Sequence, residues 1–496
     1  MKNYILVIDE GTTGVRALLF DKSMKIVDQA YKNLEVFYPG PEAVELNAEL
    51  VYDKTVKVCR EVVKKQGIAP EEIECVGMTT QRASWLFWDK RTGKPLRNVV
   101  TWLDGRGIYQ KPKLMADPVF NEKFPGVAPY LPGVWMPLIF DKIRDEEPEF
   151  AQAVTGENIL FGHIDSYLGW RLTGGSVHAT TRGAASMSGI YLSQYDMWNT
   201  PILEYFGLDT KCFPEIREES DDFGLLDKEI LGMEIPIYSS FADQQSALFA
   251  QNCMAPNSVK CTMGTGSFID INAGTQFREV PGLVTGITWS MGGKYNYLLE
   301  GLSYTAGACL EWAKNQFRLF DDFSEMELMA GKVEDSGGAY FIPALAGING
   351  DASAKGAYMG IRPNITNNHL MRATLEGIAF GTISLIETAL FGGDMESAKT
   401  SVSEIKISGG VSKSDTIAQT LANVTGANVV RPKSVEATAL GAAEAAAIKA
   451  GWMTPEDVGT YLDIDKIYTP NGMQDVQKQT YKNWKKVVER TTHWDA

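Results

Sequence analysis

The chain has 496 residues, of which 44% are hydrophobic and 22% charged, so it is long enough for two or more domains with separate cores and has ordinary globular composition. A net charge of −15 argues against nucleic acid or an anionic membrane as a general partner, since both need a basic face. No signal-peptide pattern opens the sequence and no apolar run approaches the about 18 residues that span a bilayer, so a soluble, cytoplasmic protein is expected.

The six cysteines (Cys59, Cys75, Cys212, Cys253, Cys261, Cys309) show no C-x-x-C pair and read as buried thiols in a reducing compartment. The four histidines (His163, His178, His369, His493) are dispersed and give no zinc pattern.

The first stretch with a chemical signature is YILVIDEGTTGVRALLFD, from Tyr4 to Asp21. Apolar residues lead into Asp9 and Glu10, then Gly11, Thr12, Thr13 and Gly14, then a second apolar run, which predicts strand, tight turn, strand. Glycines flanking two hydroxyls let backbone N–H groups point at one spot, which suits a phosphate as well as a plain hairpin. An acidic residue at the strand end can hold Mg²⁺ through water, which makes Asp9 the metal candidate. A further strand is expected near Lys25 to Asn33 and a helix from Ala48 to Lys65.

A strand ending at Gly77 and Met78 then releases Thr79, Thr80, Gln81, Arg82, Ala83 and Ser84, and strand ends are where α/β folds put ligands. The fixed fork of Arg82 can hydrogen-bond a substrate hydroxyl or serve a surface salt bridge. Trp85, Phe87 and Trp88 read as strand core. NVVTW reads as a strand ending at Trp102, whose ring could cover the carbon face of a polyol or simply fill core. A helix is expected from Asp165 to Trp170 and a small-residue loop and strand over 174–193. In IPIYSSFADQQSALFAQN a strand meets a helix at Asp243, an N-cap by position alone.

A domain boundary is placed after Asn252, giving lobes 1–252 and 253–496. Residues 258–274, SVKCTMGTGSFIDINAG, repeat the hairpin plan with Gly264, Thr265, Gly266 and Ser267 at the turn. Neither hairpin is a Walker A loop, because no Lys follows the glycines where that motif needs one. A helix is expected over 303–317, and His369 reads as a helix-start residue. A strand leads to a turn at Gly409 and Gly410, which would let a nucleoside approach the backbone closely. ANVVRP, an Ala-rich helix, and a solvent-facing terminal helix from Met473 to Glu489 complete the chain.

These stretches together resemble the FGGY carbohydrate kinases, nearest among them to the glycerol kinases, over nearly the whole length. The resemblance rests on the two hairpins, GMTTQRASWLFWDKRTGKPLRNVVTW (77–102), DQQSALFAQ (243–251), KGAYMGI with NNHLMRATLEGIAFG (355–381), ISGGVSKS (407–414) and RPKSVEATALGAAEAA (431–446).

The resemblance implies an α/β fold of two actin-like ATPase (ribonuclease H-like) lobes with a cleft between them, ATP and Mg²⁺ as cofactors, and transfer of the ATP γ-phosphate to a primary hydroxyl of a small polyol or sugar. It implies Asp243 as catalytic base and Arg82, Trp102, Tyr130, Gln244 and Phe268 as further substrate-binding residues. Thr12, Thr13, Arg16, Gly264, Thr265, Gly307, Glu311, Gly410 and Ser414 fall on nucleotide-binding positions, and a homodimer is implied by resemblance alone. A late proton transfer suits a carboxylate, which can orient the acceptor hydroxyl before it has become acidic.

Five positions depart from the glycerol kinase pattern. Ala83 replaces a glycerol-binding glutamate, Trp135 and Leu138 stand in the first signature, and Glu311 and Ser414 replace a glutamine and an asparagine. WLDGRG is closer to the xylulose kinases, which makes a ketose the runner-up acceptor. A non-catalytic sugar sensor and a chaperone-like ATPase are the alternatives of other classes.

Overall fold

The computed structural model describes residues 2–348, 350–395, 401–433 and 436–492. His493 and the Ser434 and Val435 pair of the RPKSVEA motif lie outside them. The chain separates into two compact units, one of Met1–Ala250, Gly286–Tyr295 and Glu436–Tyr461, the other of Gln251–Thr285, Asn296–Val435 and Leu462–Ala496. The first break falls two residues from the expected boundary. Nothing in the sequence signals the return of residues 436–461 to the first unit.

In the first unit, strands β1 (Tyr4–Gly11), β2 (Gly14–Asp21), β3 (Ile26–Asn33), β4 (Ile73–Thr80), β5 (Leu225–Leu226) and β6 (Ile235–Ala242) form one sheet in the order β3-β2-β1-β4-β6-β5. β1, β2 and β3 are antiparallel neighbours, β4 runs parallel to both β1 and β6, and β5 is antiparallel to β6. The expected hairpin is therefore in place, in register from Tyr4 opposite Asp21 to Gly11 opposite Gly14.

One face of this sheet packs Leu6, Ile8, Val15 and Leu19 against Val51, Val58 and Val62 of the helix Ala48–Gln66 and Ile164 and Leu168 of the helix Ile164–Leu172. On the other face lies the Ala-rich helix Ala437–Lys449, at backbone range: Ser239 Oγ donates to the Ala442 carbonyl at 2.7 Å, and a Cβ on Gly77 would sit 2.8 Å from that oxygen. The small side chains of both elements are what permit this approach.

A smaller sheet, with Trp85–Asp89 between Val99–Val100 and Ile159–His163, holds the loop after Trp102. The strand expected to end at Trp102 covers only Val99–Val100. Beyond it the loop is fixed by charge instead of ladder bonds. Arg106 donates to Asp104 and to Glu45 (Nη2 to Oε1, 2.6 Å), Arg97 joins the same Glu45 oxygen at 2.7 Å, and Asp104 accepts the Val44 N–H at 2.9 Å.

The second unit repeats the plan. Six of the seven strands of its sheet, β7 (Ser258–Met263), β8 (Ser267–Asn272), β9 (Lys294–Ser303), β10 (Glu404–Ser408), β11 (Asn428–Pro432) and β12 (Ile464–Tyr468), are ordered β9-β8-β7-β10-β11-β12. Both sets share the succession antiparallel, antiparallel, parallel, parallel, antiparallel. The helix expected over 303–317 covers Gly307–Asn315, because Leu302 and Ser303 belong to β9.

The long helix Asn367–Phe391 is the one element among the described residues long and apolar enough to cross a bilayer, and 83% of its most apolar window is buried inside the unit. Its start is the expected one: His369 Nδ1 lies 2.9 Å from the Thr366 hydroxyl and accepts the Thr366 N–H at 3.2 Å. The terminal helix Gln474–Val488 corrects the expectation of a solvent-facing element. It buries Tyr481, Trp484 and Val488, and Trp484 Nε1 donates to the Phe341 carbonyl at 2.8 Å. Its seven-residue spacing from Tyr481 to Val488 carries an apolar stripe hidden among lysines.

Candidate active site

In the first unit the turn between β1 and β2 stands beside the ends of β4 and β6. A Cβ on Gly14 would meet the far end of the half-exposed Tyr31 side chain, which would have to turn aside. Asp9, at the end of β1, is buried and binds through Oδ2 to Arg16 and to the Thr438 hydroxyl (3.2 Å), while Arg16 also pairs with Glu436. Burial pushes the Asp9 carboxyl above its ordinary range, against the pull of Arg16. Burial also raises its neighbour Glu10, to about 8.

β6 ends at Ala242 and the helix Asp243–Ala250 begins at once, so Asp243 is the first helical residue and not the residue before the helix. Its Oδ1 accepts the Gln244 N–H at 2.7 Å and faces Arg82 Nε at 3.4 Å. The Arg82 side chain is 11% exposed and also donates to Gln245 Oε1 at 3.3 Å, so it is a gathered cation and not a surface one. Ala83 follows it with φ +54°, a left-handed conformation uncommon for a residue with a Cβ.

Trp102 joins this group through its indole N–H, which donates to Thr12 Oγ1 at 2.9 Å. Half-exposed aromatic carbon, a guanidinium and a carboxylate are thus presented together beside the first hairpin. Tyr130 stands apart: it closes the short turn Ala128–Tyr130 and is 87% exposed. Gln244 is the second residue of the helix that Asp243 begins, and Phe268 lies on β8 of the second unit, opposite Thr262 and Leu302 in register.

The second unit contains a cavity of about 630 Å³ whose lining includes Gly264, Thr265, Gly307, Glu311, Gly410 and Ser414. All six nucleotide positions expected in this half of the chain are therefore in one place. Leu310, Phe323, Met326 and Val411 supply apolar walls, and Glu327 and Lys413 add charge. The turn carbonyls of Gly264 and Thr265 accept the N–H groups of Gly307 and Ala308 at 2.9 and 3.0 Å, which clamps the hairpin onto the helix Gly307–Asn315. Gly409 has φ +91°, and a Cβ there would collide with the Met263 carbonyl, whereas a Cβ on Gly410 would meet nothing within 4 Å.

Ser414 is an N-cap. Its hydroxyl donates to Glu327 and accepts the Ile417 N–H at 3.2 Å, and Glu327 also accepts from the Thr416 hydroxyl at 2.8 Å. Glu311 accepts from Asn315 Nδ2 at 2.9 Å. Sequence reasoning missed Glu327, Phe323 and Met326, which come from a loop and a short helix with no motif. It also passed over Thr438, which reaches Asp9, and Glu436, which reaches Arg16, each from more than 400 residues away in the sequence.

The chain matches the models of the FGGY family of carbohydrate kinases, the N-terminal domain over residues 4–250 and the C-terminal domain over residues 259–450. It belongs to that family. It is 34% identical to the glycerol kinase of Caldanaerobacter subterraneus subsp. tengcongensis over 516 aligned positions, covering 100% of this chain and 99% of that protein. It is 35% identical to the glycerol kinase of Clostridium beijerinckii, covering 100% of both.

Among solved structures it is similar to Plasmodium falciparum glycerol kinase with ADP, with a TM-score of 0.90, 27% identity and coverage of 99% of this chain and 98% of that one. The xylulose kinase of Lactobacillus acidophilus shares the fold at TM-score 0.84 and 20% identity, with 98% of each chain covered. The fold is accordingly that of the actin-like ATPase kinases, and the protein is an ATP-dependent phosphotransferase of the glycerol kinase-like kind. The sensor and chaperone-like alternatives fall with this assignment.

Proposed function

We propose that the protein transfers the γ-phosphate of ATP to a primary hydroxyl of a small polyol, with glycerol the first acceptor to test. The observation that carries this reading is the approach of Arg82 Nε to Asp243 Oδ1, at the strand ends beside the hairpin whose Thr12 holds Trp102. Asp243 Oδ2 would accept the acceptor hydroxyl's hydrogen bond, aim its oxygen at the γ-phosphorus and take its proton as the new P–O bond forms. Arg82 would hold Asp243 in that orientation and donate to a neighbouring substrate hydroxyl, and the Trp102 ring would cover the carbon chain.

The nucleoside end of ATP is assigned to the cavity of the second unit, where Gly410 offers open backbone and the hairpin of Gly264 and Thr265 offers its turn to phosphate. Thr12, Thr13 and Arg16 are assigned to the phosphate end in the first unit. The carboxylate of Asp9 is a hard oxygen donor of the kind Mg²⁺ takes, and the ion would neutralise charge on the transferring phosphoryl group. Asp9 is its proposed holder, with Arg16 balancing the charge of that carboxylate.

A homodimer in the cytoplasm and a boundary between functional lobes near residue 252 complete the proposal. A ketose acceptor is the second reading. It draws on WLDGRG, yet Asp104 and Arg106 of that motif are spent on Glu45 and on the Val44 backbone. A coupled ADP-release assay over polyols, ketoses and sugar acids tests both readings. Glycerol giving the highest kcat/KM supports the first, and a panel in which only ketoses turn over sinks it.

A further inference from the structure

The innermost carboxyl of the first hairpin takes no part in the chemistry proposed above. Glu10 follows Asp9 on β1, is fully buried and uses one oxygen only: Oε1 accepts from Gln81 Nε2 at 2.8 Å, and Oε2 has no partner among the described residues. Burying a half-satisfied carboxyl costs stability that an apolar residue would avoid.

What that single bond controls is the amide of Gln81. The amide oxygen accepts from two hydroxyls, Thr12 Oγ1 at 3.2 Å and Ser84 Oγ at 2.8 Å. Each of those hydroxyls in turn accepts an N–H of Trp102, the indole nitrogen on Thr12 at 2.9 Å and the backbone nitrogen on Ser84 at 3.1 Å. Trp102 is therefore held at two points by arms that converge on one oxygen. Turning the amide over would set its oxygen against Glu10 and its NH₂ against both hydroxyls.

We propose that Glu10 is a positioning residue for phosphoryl transfer: by fixing the Gln81 amide it holds Thr12 of the phosphate hairpin and Trp102 of the acceptor side in one frame. The inference rests on the roles given above to Thr12 and Trp102. A relay of this kind matters because acceptor and phosphate must be held together within a fraction of an ångström. It also explains why a buried glutamate is kept at a place where sheet packing alone would take leucine.

The test compares Glu10→Leu with Glu10→Gln in the full-length enzyme. It reads acceptor KM, ATP KM, kcat and the indole N–H resonance of Trp102, which Trp102→Phe assigns. Glu10→Leu is expected to raise acceptor KM about tenfold or more, to change ATP KM less, and to shift the Trp102 resonance while other indole signals hold. Glu10→Gln keeps an oxygen for Gln81 and is expected to restore both readouts. If Glu10→Leu does not fold, Gln81→Met cuts the same chain one step further on and is expected to show the same pattern.

A Trp102 resonance and acceptor KM unmoved in Glu10→Leu would overturn the proposal, as would Glu10→Gln as damaging as Glu10→Leu. An unchanged acceptor KM in Trp102→Phe would remove Trp102 from the acceptor site. The resonance in Glu10→Leu would still decide whether Glu10 holds the frame.

Discussion

Arg82 Nε lies 3.4 Å from Asp243 Oδ1, and both residues sit where a parallel strand of the first unit's sheet ends. The same oxygen takes the Gln244 N–H, so the carboxylate is anchored through Oδ1. A base for a late proton transfer needs such a fixed aim.

Asp243→Asn should therefore lower kcat by about 10² to 10⁴. ATP KM should change little, since the nucleoside cavity is built from other residues. A coupled ADP-release assay with saturating acceptor measures it, and turnover near that of the unaltered enzyme would remove Asp243 as the base.

Ala83 marks the place where a carboxylate acceptor for substrate hydroxyls is missing. Ala83→Glu should improve glycerol binding by about 1 to 3 kcal/mol, a fall in KM of roughly fivefold to 150-fold. The backbone already holds φ +54° with a Cβ present, so the longer side chain adds no new backbone strain. KM values for glycerol and for a ketose, measured side by side, decide the point. A fall for both alike would mean that the new group acts on the whole pocket and not on glycerol's hydroxyls.

Much of this was legible in the sequence because the informative residues are local. The hairpins announce themselves by apolar runs meeting GTTG and GTGS, and the strand-to-helix junction at Asp243 follows from a turn in hydrophobic pattern. Residues whose position depends on distant chain segments were not legible. Glu436 reaches Arg16 and Thr438 reaches Asp9 only because the Ala-rich helix returns to the first sheet, and Glu327 enters the cavity from a segment with no motif. Asp104 and Arg106 enter the sequence reading only as part of WLDGRG, and only the positions of Glu45 and Val44 reveal that they brace a loop.

The adjacent glycines 409 and 410 should separate folding from binding. Gly409→Ala places a Cβ against the Met263 carbonyl in a left-handed conformation and should cost about 1 kcal/mol or more. Gly410→Val meets open space, so its melting temperature should stay near the original while the new side chain fills the cavity and raises ATP KM. Melting curves and ATP titrations on the two variants would show the split. Equal melting losses would refute the assignment of Gly410 to the ligand side.

Ser414 caps the helix Asp415–Thr425 and ties it to Glu327. Ser414→Ala should destabilise the protein by about 0.5 to 2 kcal/mol. ATP KM should also rise as Thr416 alone is left to hold Glu327 at the cavity wall. Denaturant unfolding gives the first number and initial rates the second, and a loss of stability with no change in ATP KM would make the cap purely structural.

Stability should fall as pH rises, and Glu444 supplies a separable part of the fall. This residue of the Ala-rich helix is fully buried, with Oε1 accepting the Gly459 N–H at 3.1 Å and Oε2 without a partner among the described residues. Burial raises its pKa from 4.5 to about 8, so the folded chain keeps a proton that the unfolded chain releases. The associated stability is complete below about pH 4.5 and is lost as pH climbs through about 8. Glu10, raised to about 8, and Glu219, raised to about 7 by burial, act in the same direction. Glu444→Gln keeps an oxygen for Gly459 and carries no charge, so its melting temperature should decline less from pH 5 to pH 9 and exceed that of the unaltered protein at the alkaline end. Thermal melts across that range measure the effect. Parallel curves for the two proteins would mean that Glu444 does not titrate in the fold.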